Sequence, residues 1–253
     1  HHELGALDEI LAEQLGVAAA AGGGGEGERR DAMALSADFA AAIGGERMSG
    51  GWVLLLGILA GVVSGELGAA PLSMAALQAK LAAVPVQRCQ FAQRRMLPGL
   101  ETPLLSSGQM IFDRQLGLWW RQQQPFVMTL RLNAQRFEQQ LEGQAPEVLT
   151  PQQQPQLFEF SRLMLSLFVA DRTVLEQAFN LSLHSQGPAW QLQLHPRQPP
   201  LDQVFRQLTL QGEQALEQLQ IADQQGGTTQ IEFHDCHPSP AELSDAERRL
   251  FSR

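Results

Sequence analysis

Residues 107–132 read SGQMIFDRQLGLWWRQQQPFVMTLRL. In an extended chain Met110, Phe112 and Arg114 share one side, Leu118 and Trp120 continue the pattern, and Phe126, Met128, Leu130 and Leu132 repeat it. Side chains change face at every residue only in a strand, so this stretch predicts antiparallel strands with one apolar and one wet face. A helix, with its period of about 3.6, does not hold that spacing.

The same alternation returns downstream. Phe179, Leu181 and Leu183 form one set, then Trp190, Leu192 and Leu194, then Leu208 and Leu210, Leu219 and Ile221, and Ile231 and Phe233. Between the sets lie Gly187-Pro188, Pro199-Pro200, Gly212 and Gly226-Gly227, which are turn formers, so the chain is read as a meander. Three helices interrupt it. Ser73 caps a short amphipathic helix over residues 73–84, with Leu77, Leu81 and Val84 on one face and Pro85 as its stop. Residues 155–169, PQLFEFSRLMLSLFV, are helical and apolar nearly all round. Residues 240–251 make a polar closing helix carrying Leu243, Leu250 and Phe251, expected to plug one end.

One sheet with an apolar face and few helices to cover it is expected to curl. The predicted class is therefore α+β: a curved antiparallel sheet, an open, incomplete β-barrel, with a helical lid. The apolar hollow is expected to be lined by Phe91, Met110, Phe112, Leu118, Trp120, Met128 and Leu130, with Leu163, Met164, Leu167 and Phe168 as lid. An acyl chain of fourteen to sixteen carbons buried there would gain roughly 0.8 kcal/mol per methylene, on the order of 10 kcal/mol before costs. Periodicity alone is equally compatible with a small closed barrel whose core these residues fill.

Charge and composition narrow the partners. The net charge of −9 is uneven: residues 1–70 carry three Arg against ten acids (−7), and residues 71–253 carry fifteen Lys and Arg against seventeen acids (−2). With Lys80 as its single Lys, the main body has no basic run to release counterions from nucleic acid or to follow anionic headgroups. Residues 52–63, WVLLLGILAGVV, are too short to span a bilayer and match the apolar region of a signal peptide, although a buried core helix is the other reading. Residues 48–70 are accordingly read as a signal peptide, 1–47 as an upstream extension, fusion or gene-calling artefact, and 71–253 as the working domain, a monomer in the periplasm.

Cys89 and Cys236 are too few for a disulfide scaffold, but in an oxidising compartment they can form one bridge. The rival to a binding protein is a small metal- or thiol-dependent enzyme built on His234, Asp235, Cys236 and His237. That cluster follows a strand ending at Phe233 and precedes Pro238, so it reads as a polar turn, and no catalytic residue, metal or cofactor is assigned. A structural envelope protein binding through its sheet edge is a third reading.

The order of features resembles the outer-membrane lipoprotein carriers of the LolA type: an exported chain, a short first helix, Phe91-Ala92-Gln93, a strand containing Gly108, and an apolar lid helix in mid-chain. The densest match is residues 110–125, MIFDRQLGLWWRQQQP, and the likeness covers about residues 73–251. It implies an open half-barrel with helical lids that moves acylated cargo from an inner-membrane export or release complex to an outer-membrane acceptor. It also implies that Arg114 latches the lid closed by hydrogen bonds to lid backbone; the alternative from the residues alone is a solvated strand end. The stretch MLPGLETPLLSSG, residues 96–108, is more like LolA-like relatives associated with lipid or polyene biosynthesis, so the resemblance leaves the cargo open between a lipoprotein and a glycolipid or polyene lipid.

Overall fold

The structure is a computed structural model, and it describes residues 72–237 and 242–252. The expectations for residues 1–47, for a signal peptide at 48–70 and for a helix beginning at 240 lie outside the described residues.

Helix α1, Met74–Ala82, starts where Ser73 Oγ accepts the Ala76 N–H at 3.1 Å, and it buries Leu77 and Leu81. Eleven strands follow in two groups. The first is β1 (Val86–Met96), β2 (Leu104–Asp113), β3 (Gly117–Gln124), β4 (Met128–Leu132), β5 (Phe137–Leu141) and β6 (Glu147–Leu149). Helices α2 (Pro155–Leu167) and α3 (Arg172–Ala178) then lead to β7 (Phe179–Gln186), β8 (Ala189–Pro196), the single turn α4 (Leu201–Val204), β9 (Phe205–Gly212), β10 (Leu216–Asp223) and β11 (Thr228–His237). Helix α5, Asp245–Ser252, closes the described chain.

All eleven strands form one antiparallel sheet in the order β6-β5-β4-β3-β2-β1-β11-β10-β9-β8-β7. Each group is a simple meander, and the first strand pairing with the last joins them. β6 and β7 are the two edges, so the sheet is a curved, open one and not a closed barrel.

Alternation sorts the side chains onto two faces. The inner face carries Phe91, Met110, Phe112 and Leu118 on one side of the β1–β11 seam, and Phe233, Ile231, Leu219, Leu210, Leu208, Leu192 and Leu194 on the other; all are buried. Helix α2 lies on this face, where Phe168 meets both Phe112 and Phe233. The outer face has its own apolar cluster of Val86, Ile111, Trp119 and Leu243, with Leu116, Leu250 and Phe251 packed on it. Helix α5 therefore lies against the outer face, and the expected plug at one end of the sheet is corrected. Arg88 fixes it there, donating Nε to Glu247 Oε1 at 2.5 Å and Nη2 to the Glu242 carbonyl at 2.9 Å.

Candidate cargo site

The inner face is built around an aromatic group. Phe91 and Trp120 stack at 3.6 Å between ring centroids, and Trp120 meets Phe233 edge-on at 6.4 Å. Gly108 stands directly opposite Phe91 on β2. A Cβ at Gly108 would come within 2.0 Å of the Arg121 carbonyl oxygen, so the close approach of β2 to β3 at this irregular register demands glycine.

The residues expected to form a lid pack on the inner face. Leu163, Leu167 and Phe168 are buried and Met164 is half-buried. Phe168 stacks on Phe112 at 4.7 Å and lies 5.8 Å from Phe233. Among the residues expected to line the hollow, Phe91, Met110, Phe112, Leu118 and Met128 are buried, and Trp120 and Leu130 are partly exposed. The centre of the inner face is thus covered by side chains of α2 and its C-cap.

A cavity of about 460 Å³ adjoins that centre, between α2, α3 and residues 198–205. Its apolar walls include Phe160, Leu163, Val174, Val204 and Phe205, with Phe160 and Phe205 stacked at 5.9 Å, and Glu159, Arg162, Gln177 and Gln198 add polar atoms. The volume falls within the roughly 300–1,000 Å³ usual for small-molecule sites. Leu163 alone belongs both to this cavity and to the residues named from sequence. Phe160 falls within residues 155–169, read from sequence as an apolar helix, whereas residues 198–205 gave only a turn signal.

Two buried glutamines on the inner face find carbonyl partners within the fold. Gln87 Nε2 donates to the Leu216 carbonyl at 2.9 Å, and Gln122 Nε2 to the Phe126 carbonyl at 3.3 Å. Arg114 does reach a carbonyl at a helix end, but the helix is not the one expected. Its Nη1 donates to Ala82 O at 3.0 Å, at the C-terminus of α1, and its N–H donates to Pro85 O at 3.2 Å. A cation there also complements the negative end of the helix. The latch expected on α2 is thereby corrected to a contact with α1, because β2 ends at Asp113 and its carboxylate accepts the Gln115 and Leu116 N–H groups, turning the chain away from the inner face.

Cys89 and Cys236 form a disulfide between β1 and β11. Cys236 accordingly offers no thiol as a nucleophile, and His234 Nδ1 pairs with Asp235 Oδ2 at 2.9 Å on the exposed end of β11. The polar turn expected after Phe233 is corrected: the strand runs on to His237, pairing His234 with Gln90 and His237 with Arg88 across an irregularity of the register. Among the described residues no helix is long and apolar enough to cross a membrane.

Two solved structures are similar over most of this chain, although each has a TM-score below 0.5 and low identity. One, described as an outer membrane lipoprotein-sorting protein domain from Vibrio parahaemolyticus, is 9% identical, with 72% of this chain and 98% of that chain covered and a TM-score of 0.41. Another, a LolA superfamily protein from Nitrosomonas europaea, is 10% identical, with 72% and 98% covered and a TM-score of 0.38. No curated protein matches the chain. The family model for outer membrane lipoprotein carrier protein, LolA-like, matches residues 68–233, well over half of the sequence. On that match, the chain belongs to the LolA-like family of outer membrane lipoprotein carriers.

Proposed function

We propose that this protein is a periplasmic carrier that takes an acylated or lipidic molecule into the inner face of its sheet and shuttles it from the inner to the outer membrane, without catalysis. The observation that carries the reading is the seating of Leu163, Leu167 and Phe168 on a mainly apolar inner face, beside a cavity of about 460 Å³. These side chains occupy the ground that an acyl chain would need, so withdrawal of α2 exposes a continuous apolar surface from Phe112 to Phe205.

On this reading the lining is Phe91, Met110, Phe112, Leu118, Trp120, Met128 and Leu130, extended by the cavity walls, and Leu163, Met164, Leu167 and Phe168 form the lid. Arg114 acts as a latch by tying α1 to the β2–β3 turn. Cargo would be received from an inner-membrane export or release complex and passed to an outer-membrane acceptor. The cargo class is an acyl lipid in a broad sense, covering an acylated lipoprotein and a glycolipid or polyene lipid.

Native extraction of the purified chain followed by mass spectrometry tests the reading. A carrier yields acyl lipid at up to about one per chain, and Val174→Trp, which fills the cavity wall, lowers that yield. Lipid-free protein from every gentle preparation, together with no uptake of a fluorescent acylated peptide or fluorescent glycolipid, overturns it.

A further inference from the structure

The exposed large apolar side chains among the described residues are Leu100, Leu104, Leu105 and Val148, and the first three share the hairpin between β1 and β2. Leu105 is 64% exposed and Leu100 48%, and with Leu104 they gather on one hairpin instead of being scattered singly. Leu104 stands opposite Arg95 and Leu105 opposite Arg94. Successive strand residues point to opposite faces, so the two leucines project on opposite sides of the hairpin. Leu100 lies in the turn between β1 and β2, where its N–H donates to Leu97 O at 3.1 Å and Gly99 has a φ of 83°.

Apolar groups on both faces and at the tip define what can cover them. A groove on a partner protein covers one face of a hairpin and leaves the other wet, whereas a fluid acyl layer surrounds an inserted tip from every side. The charges agree with a phospholipid surface. Arg94 lies on the outer face beside Leu105, Arg121 is exposed on that face two strands along, and Glu101 is the one acid in residues 94–105. Guanidinium groups pair well with phosphate.

The position of the hairpin matters as well. Met96 pairs with Thr228, Thr228 with Ala222, and the adjacent Asp223 with Phe205. The hairpin therefore stands at the same end of the sheet as Val204 and Phe205, which wall the cavity. We propose that the β1–β2 hairpin is a membrane-seating lip. Leu100, Leu104 and Leu105 enter the acyl layer, Arg94 and Arg121 meet its phosphates, and the cavity end of the sheet is thereby set against the bilayer for cargo transfer. The transfer clause rests on the carrier reading, and the membrane contact does not.

The full chain carries a second apolar segment at residues 52–63, so the decisive readout is local. Leu100→Trp is added to vesicles of phosphatidylethanolamine and phosphatidylglycerol whose acyl chains are brominated, and its emission is compared with that of the wild type. The introduced indole should shift to the blue and be quenched. Adding Leu105→Glu should weaken the quench-derived affinity about tenfold, the loss of roughly one buried leucine. Arg94→Gln with Arg121→Gln should weaken it more on anionic vesicles than on zwitterionic phosphatidylcholine vesicles, which present phosphate without net charge. An unquenched indole at every lipid concentration overturns the proposal and leaves the leucines to a protein partner, and quenching indifferent to Leu105→Glu overturns it too. Co-purified lipid separates the two readings: a chain that is quenched yet never carries lipid overturns the carrier alone, and one that carries lipid without quenching overturns the lip alone.

Discussion

Removing the disulfide should cost this protein a large part of its stability. Cys89 and Cys236 are 147 residues apart in sequence, and their bridge pins β1 to β11, the pairing that unites the two meanders. For a loop of 147 residues the chain-entropy relation gives about 17 cal/mol/K, or about 5 kcal/mol at 25 °C, lost from the unfolded ensemble when the loop is closed. Cys89→Ala with Cys236→Ala should therefore lower the midpoint of thermal unfolding by roughly 10–20 °C, at about 2–4 °C per kcal/mol for a domain of this size. Urea unfolding followed by circular dichroism measures the difference directly. Wild-type protein in reducing agent keeps both sulfur atoms, so it separates the loop effect from any packing loss at the buried Cys89. It should unfold like the double variant, and the double variant should ignore the reducing agent. Because the cross-link compacts the unfolded chain, its loss should also steepen the denaturant dependence. A stability difference below about 1 kcal/mol with an unchanged slope would refute the entropic account, and two titratable thiols in the unreduced, denatured protein would remove the bridge itself.

Three further outcomes follow from the geometry. The hydrogen bond from Arg88, opposed by partial burial and aided by Ser244, lowers the Glu247 pKa from 4.5 to about 2. A depressed carboxylate stabilises the fold above its unfolded pKa, so the docking of α5 should be intact above about pH 4.5 and be lost as the pH falls towards 2. The effect is on the order of 1 kcal/mol after solvent screening, read from Trp119 fluorescence under the helix, and Glu247→Gln should flatten it. Arg114→Leu removes a charge-assisted bond of about 1.5 kcal/mol to Ala82 O, so by weakening the closed form it should slow transfer of loaded cargo roughly tenfold; unchanged transfer removes Arg114 from the latch. Gly108→Ala forces β2 from β3, and a loss of more than about 2 kcal/mol in urea is expected, against well under 1 for Ala92→Gly on the exposed outer face of the neighbouring strand.

The fold was legible wherever one face of a strand is uniformly apolar. β8, AWQLQLHP, alternates without exception across Trp190, Leu192 and Leu194, and all three are buried on the inner face. β1, VQRCQFAQRRM, was not legible as a strand, although it sits beside the seam of the sheet. Its inward positions are Gln87, Cys89, Phe91 and Gln93, and the polar ones are tolerated because partners exist that no local pattern reveals, such as the Leu216 carbonyl 129 residues away for Gln87. The placement of α5 was hidden for a related reason. Met110, Ile111 and Phe112 are consecutive buried residues, as are Leu118 and Trp119. An unbroken apolar run within an alternating strand signals cover on both faces, and here the second cover is the C-terminal helix. Arg114 was placed on the inner face by counting in twos through a strand that in fact ends one residue earlier.

The question that periodicity left open, a filled core or an empty hollow, takes a different form once the lid is in place. The inner face is filled, but partly by Leu163, Leu167 and Phe168, which belong to helix α2 and its C-cap and not to the sheet. Exposing three such side chains costs about 1.5–3 kcal/mol each, or about 5–9 kcal/mol together, against on the order of 10 kcal/mol gained by burying one long acyl chain. Cargo binding under these terms is an exchange of one apolar occupant for another, and the net gain is only a few kcal/mol. Under the proposed function, a carrier built this way keeps its hollow dry when empty. It also holds its load weakly enough to give it up, since the returning lid supplies most of the free energy that the departing acyl chain takes away. The sheet therefore does not have to be empty to serve as a hollow; it needs a lid whose apolar residues match the cargo closely without outcompeting it.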